Sequence, residues 1–414
     1  MPHVVVNRPY EFVPPYAGDA WPSFIQWFEL YSLHLRSKEG IVDRECRRVE
    51  LLRESLDAGH GILLCPNHAR TADPLVMGWL AKAAGTHVFA MASWHLFNEG
   101  WFQTFAIRRM GAFSVYREGI DRRSLDMAVD VVAEAKRPLI VFPEGATSRT
   151  NDHLHPLLDG VGFIARAAAK RREKAGGGKV VIHPVGIKYR YRGDILRACR
   201  ETLDELERRL GWQSRGHLDP LSRLVEYQQV FLSLKELEYL GAAHGGSREQ
   251  RIDRLVEGIL RPLETQWLGE PQQGAFPQRI RGVRSRIVPR MIEQTTAARK
   301  RAKRGIETEE AERCSQQLEA LHIAQQLLGY PSDYLVSRPT IDRVLETLEK
   351  LEEDMVGRAR VHGDLKAIIE VAPAIPVPTE RDRGAKEDAV MAALETNLRE
   401  LVQRLASESP SFAP

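Results

Sequence analysis

Residues 61–75 read GILLCPNHARTADPL. Ile62 to Cys65 form a short apolar run bounded by a turn, the pattern of a buried strand. Asp73 fits the N-cap of a helix and Pro74 its first position. His68 then falls on the loop between strand and helix. His68 and Asp73 are five apart and would not share a face of one continuous helix. On a loop, however, the Asp73 carboxylate can fold back to the imidazole of His68. A carboxylate that holds one ring nitrogen fixes the tautomer and leaves the other nitrogen as a general base. The plainer reading makes Asp73 a cap and His68 a turn residue.

Outward from this stretch, strand signals recur between helical ones. THVFAMAS (86–93), GAFSVYR (111–117), PLIVFPEG (138–145) and KVVIHPVGIKY (179–189) each carry a short apolar or alternating run. The last is entered through Gly176, Gly177 and Gly178, which end a helix in RAAAKRREKA. Such alternation predicts an α/β fold with a largely parallel sheet flanked by helices. From about residue 192 to 362 the chain turns Leu-, Glu- and Arg-rich at helical spacing, as in TIDRVLETLEKLEEDM, which predicts a large all-helical insertion. Four segments are expected: an amphipathic helical segment at 1–50, the α/β core at 51–191, the insertion at 192–362, and a returning strand (LKAIIEVA) with a last helix at 363–414.

The chain has 414 residues, 43% hydrophobic and 28% charged, enough to bury a core and too long for one small module. Its net charge of +3 excludes an extreme polyanion binder. Cys46, Cys65, Cys199 and Cys314 are scattered with no C-x-x-C pair, which points away from a disulfide framework and toward a reducing compartment. The first residues lack the pattern of a secretory signal. No run approaches 18 apolar residues, so a soluble or membrane-surface protein is expected.

Two further stretches offer chemistry. In PLIVFPEGATSRT, Glu144 and Gly145 follow an apolar strand at its C-terminal end, where ligands collect in open α/β sheets. Thr147, Ser148 and Arg149 then supply hydroxyls and a guanidinium suited to a phosphate. In GAFSVYREGIDRR, Gly111 opens a strand whose end carries Arg117, a second candidate phosphate clamp. Each feature alone also reads as an ordinary turn or surface ion pair.

Together they resemble the glycerolipid acyltransferases of the lysophosphatidate and glycerol-3-phosphate type. That family's four ordered blocks correspond to NHARTAD, GAFSVYR, FPEGATS and VIHPVGI around Pro184, over about residues 55–192. The resemblance implies that His68 is the general base on an acceptor hydroxyl and that Asp73 orients it. The hydroxyl would attack an acyl thioester directly, with no acyl-enzyme. It further implies that Gly111, Arg117, Glu144, Gly145, Ser148 and Arg149 bind substrate, and that nearby backbone donors stabilise the oxyanion. Donor and acceptor are expected to be acyl coenzyme A or acyl carrier protein and a lysophospholipid or glycerol phosphate, with no cofactor and no metal. Departures are Ala146 where the family usually has Thr, Thr147 where it usually has Arg, and Tyr116 where Asp is often found. They keep open O-acyl transfer to a different lipid acceptor; a catalytically weak membrane-binding scaffold is a further alternative, against which the intact His68, Asp73 and Glu144 speak.

Other signals are weaker. DGVGFIA matches a dinucleotide fingerprint in spacing, but no buried strand precedes it. His153 and His155 lack a third metal ligand at a telling distance. No G-x-S-x-G, H-E-x-x-H or G-x4-G-K-[ST] occurs. WPSFIQWFELYSLHL places Trp21, Phe24, Ile25, Phe28 and Tyr31 near one helical stripe, able to lie in a membrane interface or to pack on the protein's own core. WHLFNEGWFQTF is aromatic again and suits an acyl-chain groove or a core. Arg279 to Arg304 holds ten basic residues against Glu293. It suggests an anionic membrane surface rather than nucleic acid, since aromatics are absent from it, or else a solvated helix paired with the Glu-rich segment TEEAER. The expected location is cytoplasmic, peripheral on the inner face of a membrane.

Overall fold

A computed structural model describes residues 9–301, 309–381, 384 and 387–413, with side chains as far as 296 in the first span. Two helices, α1 (Ala20–Phe28) and α2 (Leu30–Glu39), lead into β1 (Ile41–Arg47) and α3 (Val49–Asp57). The alternating core follows: β2 (Gly61–Pro66), α4 (Asp73–Ala84), β3 (Phe89–Ser93), α5 (Trp101–Arg109), β4 (Ala112–Val115), α6 (Arg122–Glu134), β5 (Leu139–Ile140), α7 (Gly160–Lys174) and β6 (Val180–Tyr191). Six helices come next: α8 (Ile195–Arg209), α9 (Pro220–Leu240), α10 (Arg248–Leu268), α11 (Phe276–Arg301), α12 (Glu309–Leu328) and α13 (Ile341–Val356). The chain then returns through β7 (Leu365–Val371), β8 (Ile375–Pro376) and α14 (Ala389–Ser407). Side-chain caps open many of these helices, among them Asp121, Asp194, Asp219, Ser247, Thr340 and Asp388.

The strands form one sheet in the order β1-β7-β6-β2-β5-β3-β4, with β8 beside β6. It is mostly parallel; β7 and β8 run antiparallel to β6. Alternate residues of β2 feed opposite faces. Ile62 and Leu64 join the core with Val76, Leu80 and Tyr189. Leu63 and Cys65 join the core with Phe113, Val132 and Ile164. This two-sided burial explains the unbroken apolar run of β2.

The segment before residue 50 holds β1 as well as helices. Its residues Asp43, Arg44 and Glu45 hid it, because an edge strand pairs on one side and keeps charges in solvent. The helical stretch from α8 to α13 is also of two kinds. α8 and α13 bury Leu203, Leu206, Val344 and Leu348 in the sheet's own core. Helices α9 to α12 close a separate core around Leu255, Leu260, Ile287 and Leu321. No helix among the described residues is long and apolar enough to cross a membrane. α1 buries only Pro22, and Trp27 is 78% exposed. Trp101 of α5 is 82% exposed, and the two helices meet where Trp21 packs edge-on against Phe105, ring centroids 5.3 Å apart. Within the basic stretch, Arg279 pairs with Glu257 and Glu264, Arg284 with Glu118, and Arg290 with Glu310. Lys303 and Arg304 lie outside the described residues, as do the side chains of Arg299, Lys300 and Arg301.

Candidate active site

Parallel strands deliver their C-terminal ends to one edge of the sheet, and the loops after β2 and β5 meet there. Ser148 N donates to His68 O (3.2 Å) and Arg149 N to Ala69 O (3.0 Å), zipping the two loops together. His68 Nδ1 lies 2.8 Å from Asp73 Oδ2. Beside an ionised carboxylate, Nδ1 carries the proton, which leaves Nε2 as the basic nitrogen. That nitrogen has no hydrogen-bond partner recorded among the described residues, and the side chain is 15% exposed. The ring stacks on Phe142, centroids 4.0 Å apart, so its plane is fixed from a second direction.

Asp73 is fully buried and does not cap its helix. α4 begins at Asp73 itself, with Ala72 in the cap position and no side-chain cap bond. The carboxylate turns back instead. Oδ2 accepts from His68 Nδ1 and from Arg70 N (2.9 Å), and Oδ1 from the Tyr189 hydroxyl (2.5 Å). The expected cap is overridden because a buried carboxylate needs several donors, and the loop and β6 provide them. Burial and the Asp73 charge push the Tyr189 phenol well above its ordinary range, so it stays a donor.

The remaining candidates divide. Glu144 spends both oxygens on backbone amides, accepting from His68 N (2.7 Å) and His155 N (2.9 Å). It ties the two loops together rather than presenting a free carboxylate. Burial pushes its pKa up to about 7, against the two amide donors, with the Asp73 charge adding to the rise. Gly145 sits at φ +72°, where a Cβ would meet Leu158 at 2.5 Å, and its carbonyl accepts from the exposed Arg117. Ser148 Oγ accepts from Thr150 within its own loop. The Arg149 guanidinium pairs with Glu353 and, at 3.5 Å, with Glu349 on α13. Gly111 is not at this edge. It enters β4 at the opposite end of the sheet, where φ is +96° and a Cβ would meet Val88 O at 2.3 Å. Its role is the turn into the strand, since only glycine fits there.

Arg70, Phe142, Tyr189 and α13 went unread as site components. Tyr189 stands 116 positions from Asp73, and nothing local marks its pairing.

Residues 46–188 match the family model described as Acyltransferase. No curated protein matches the chain. The matched stretch runs from β1 into β6 and contains the His68–Asp73 pair, Arg117 and the Glu144–Gly145 turn. The chain thus carries an acyltransferase domain over residues 46–188, which supports acyl transfer as its general chemistry.

Proposed function

We propose that this chain moves a fatty acyl group from an acyl coenzyme A or acyl carrier protein thioester to a hydroxyl of lysophosphatidate or another glycerol-phosphate lipid. The observation that carries the reading is the buried Asp73 holding His68 by Nδ1 at 2.8 Å while Nε2 stays available. His68 Nε2 takes the acceptor's hydroxyl proton as its oxygen attacks the thioester carbonyl. The tetrahedral intermediate then expels the thiolate, which leaves with that proton. Asp73 stabilises the imidazolium in between. General-base catalysis of this kind contributes roughly 10²–10⁴ in rate. Arg117, exposed beside Gly145, is the proposed clamp for the acceptor phosphate.

The pairing of Arg149 with Glu353 favours a second reading, O-acyl transfer to a less charged lipid acceptor. Labelled acyl thioester with a panel of acceptors, read by thiol release and lipid product, separates the two. A folded His68→Ala protein should lose transfer; near-wild-type turnover in it would sink the mechanism. We further propose peripheral attachment to the cytoplasmic face of a membrane. The exposed aromatic side chains of α1 and α5 support this.

A further inference from the structure

Three glutamates of α13 fall on one stripe. Glu346, Glu349 and Glu353 are three and four positions apart and so share a helix face. In sequence this stripe looks like a solvated face, yet every member is engaged by a loop of the site. Glu346 accepts from Asn151 Nδ2 (2.6 Å), and Glu353 pairs with Arg149. Glu349 accepts from both terminal nitrogens of Arg70, at 3.1 and 2.5 Å, and Glu349 and Arg70 are both buried. Arg70 lies on the loop after β2, while Arg149 and Asn151 lie on the loop after β5.

The Arg70 contact leads directly to the acid of the pair. Its backbone amide donates to Asp73 Oδ2. Its guanidinium lies 5.3 Å from the ring centroid of Tyr189, whose hydroxyl holds Asp73 Oδ1. One bidentate contact therefore fixes the residue that supplies one Asp73 donor and packs over the residue that supplies the other. A buried ion pair yields little net stability, because desolvation offsets most of the attraction. What a forked Arg–carboxylate pair does supply is orientation.

We propose that Glu349 is a positioning residue for acyl transfer. Acting through Arg70 and Tyr189, it holds Asp73 against His68, so that α13, outside the matched stretch, completes the active site. The inference rests on the reading of His68 as the general base.

The test compares Glu349→Gln with Glu264→Gln, which breaks a buried pair with Arg279 inside the α9–α12 bundle and has no bond to Arg70, Tyr189 or Asp73. Turnover is measured with palmitoyl coenzyme A and 1-oleoyl lysophosphatidate. The downfield proton resonance of the His68 Nδ1–H is followed by NMR without substrate. Misplacement of a catalytic group by about 1 Å can cost ~100-fold. Glu349→Gln should lower kcat by about 10-fold or more, leave both KM values within roughly twofold, and move or broaden the resonance. Glu264→Gln should lower thermal stability while sparing kcat and the resonance. Should Glu349→Gln fail to fold, Glu349→Asp keeps the charge on a shorter stem and is expected to shift kcat and resonance the same way. Wild-type kcat with an unmoved resonance in a folded Glu349 variant overturns the proposal. So does an equal loss of kcat in Glu264→Gln. An inactive His68→Ala beside normal Glu349 variants would remove this inference alone. An active His68→Ala would remove the parent reading.

Discussion

Glu144→Gln should change how stability depends on pH, in a direction set by the carboxyl's surroundings. In the folded chain burial pushes its pKa up to about 7, against an ordinary value of 4.5. Below pH 4.5 the group is protonated in both states, and its contribution to stability is fully present. Between 4.5 and 7 the unfolded chain gives up this proton while the folded chain keeps it. Stability then falls by about 1.4 kcal/mol per pH unit. The whole wave would reach about 3 kcal/mol; Glu144 is only partly shielded from solvent, so about 2 is the working figure. Above 7 both states are ionised and the loss is complete. Glutamine does not titrate, so the variant lacks this wave. Its amide also presents a donor where a carboxylate oxygen met a backbone N–H, costing roughly 1–3 kcal/mol at every pH. The variant should be less stable than wild type at pH 5, and the gap should narrow by about 2 kcal/mol by pH 8. Denaturant unfolding followed by circular dichroism at half-unit steps measures it, and other titrating groups cancel in the difference. A gap that stays constant, or widens as pH rises, refutes the reasoning.

Tyr189→Phe removes one of three donors from a buried carboxylate; it should cost roughly 1.5–3 kcal/mol in stability and lower kcat with KM little changed, as thermal melts and steady-state kinetics will show. Arg117→Ala should raise KM for a phosphate-bearing acceptor well above any change for the thioester, and Arg117→Lys should not restore it fully, because lysine lacks the planar fork. Equal shifts for both substrates would make Arg117 structural. Replacing Trp27 and Trp101 together by Ser should weaken binding to anionic vesicles ~10-fold or more in a flotation assay, since each indole can bury about 150–250 Å². Unchanged flotation would assign those side chains another role.

The sequence made the α/β core legible where burial is two-sided. Ile62 to Cys65 and Val180 to Ile182 are apolar on both faces, so their strands stand out without alignment. β1 escaped notice because an edge strand keeps Asp43, Arg44 and Glu45. The His68–Asp73 contact could be inferred from a loop that brings residues five apart together. The arrangement behind Asp73 could not. Tyr189 and Glu349 reach it from β6 and α13, across 116 and 276 positions of sequence, and local pattern carries no trace of such closure. Asp73 was misread as a cap because its proline neighbour is the usual signature of one. Competition from His68, Arg70 and Tyr189 decides the matter in three dimensions.

β7 sits between β1 and β6 in the sheet but follows both in the chain, separated from β6 by six helices. During synthesis about 170 residues must emerge before β6 acquires that neighbour, roughly 10–35 s at ordinary elongation rates. Through that interval the growing chain presents the unpaired backbone edge of β6, a long strand of mostly apolar side chains, and β1 has no partner at all. A fragment ending at Lys188 would carry the same two open edges permanently and should pair with copies of itself. The family-matched stretch lacks β7 and β8, and the helices α8 to α13 must be made before the sheet can close.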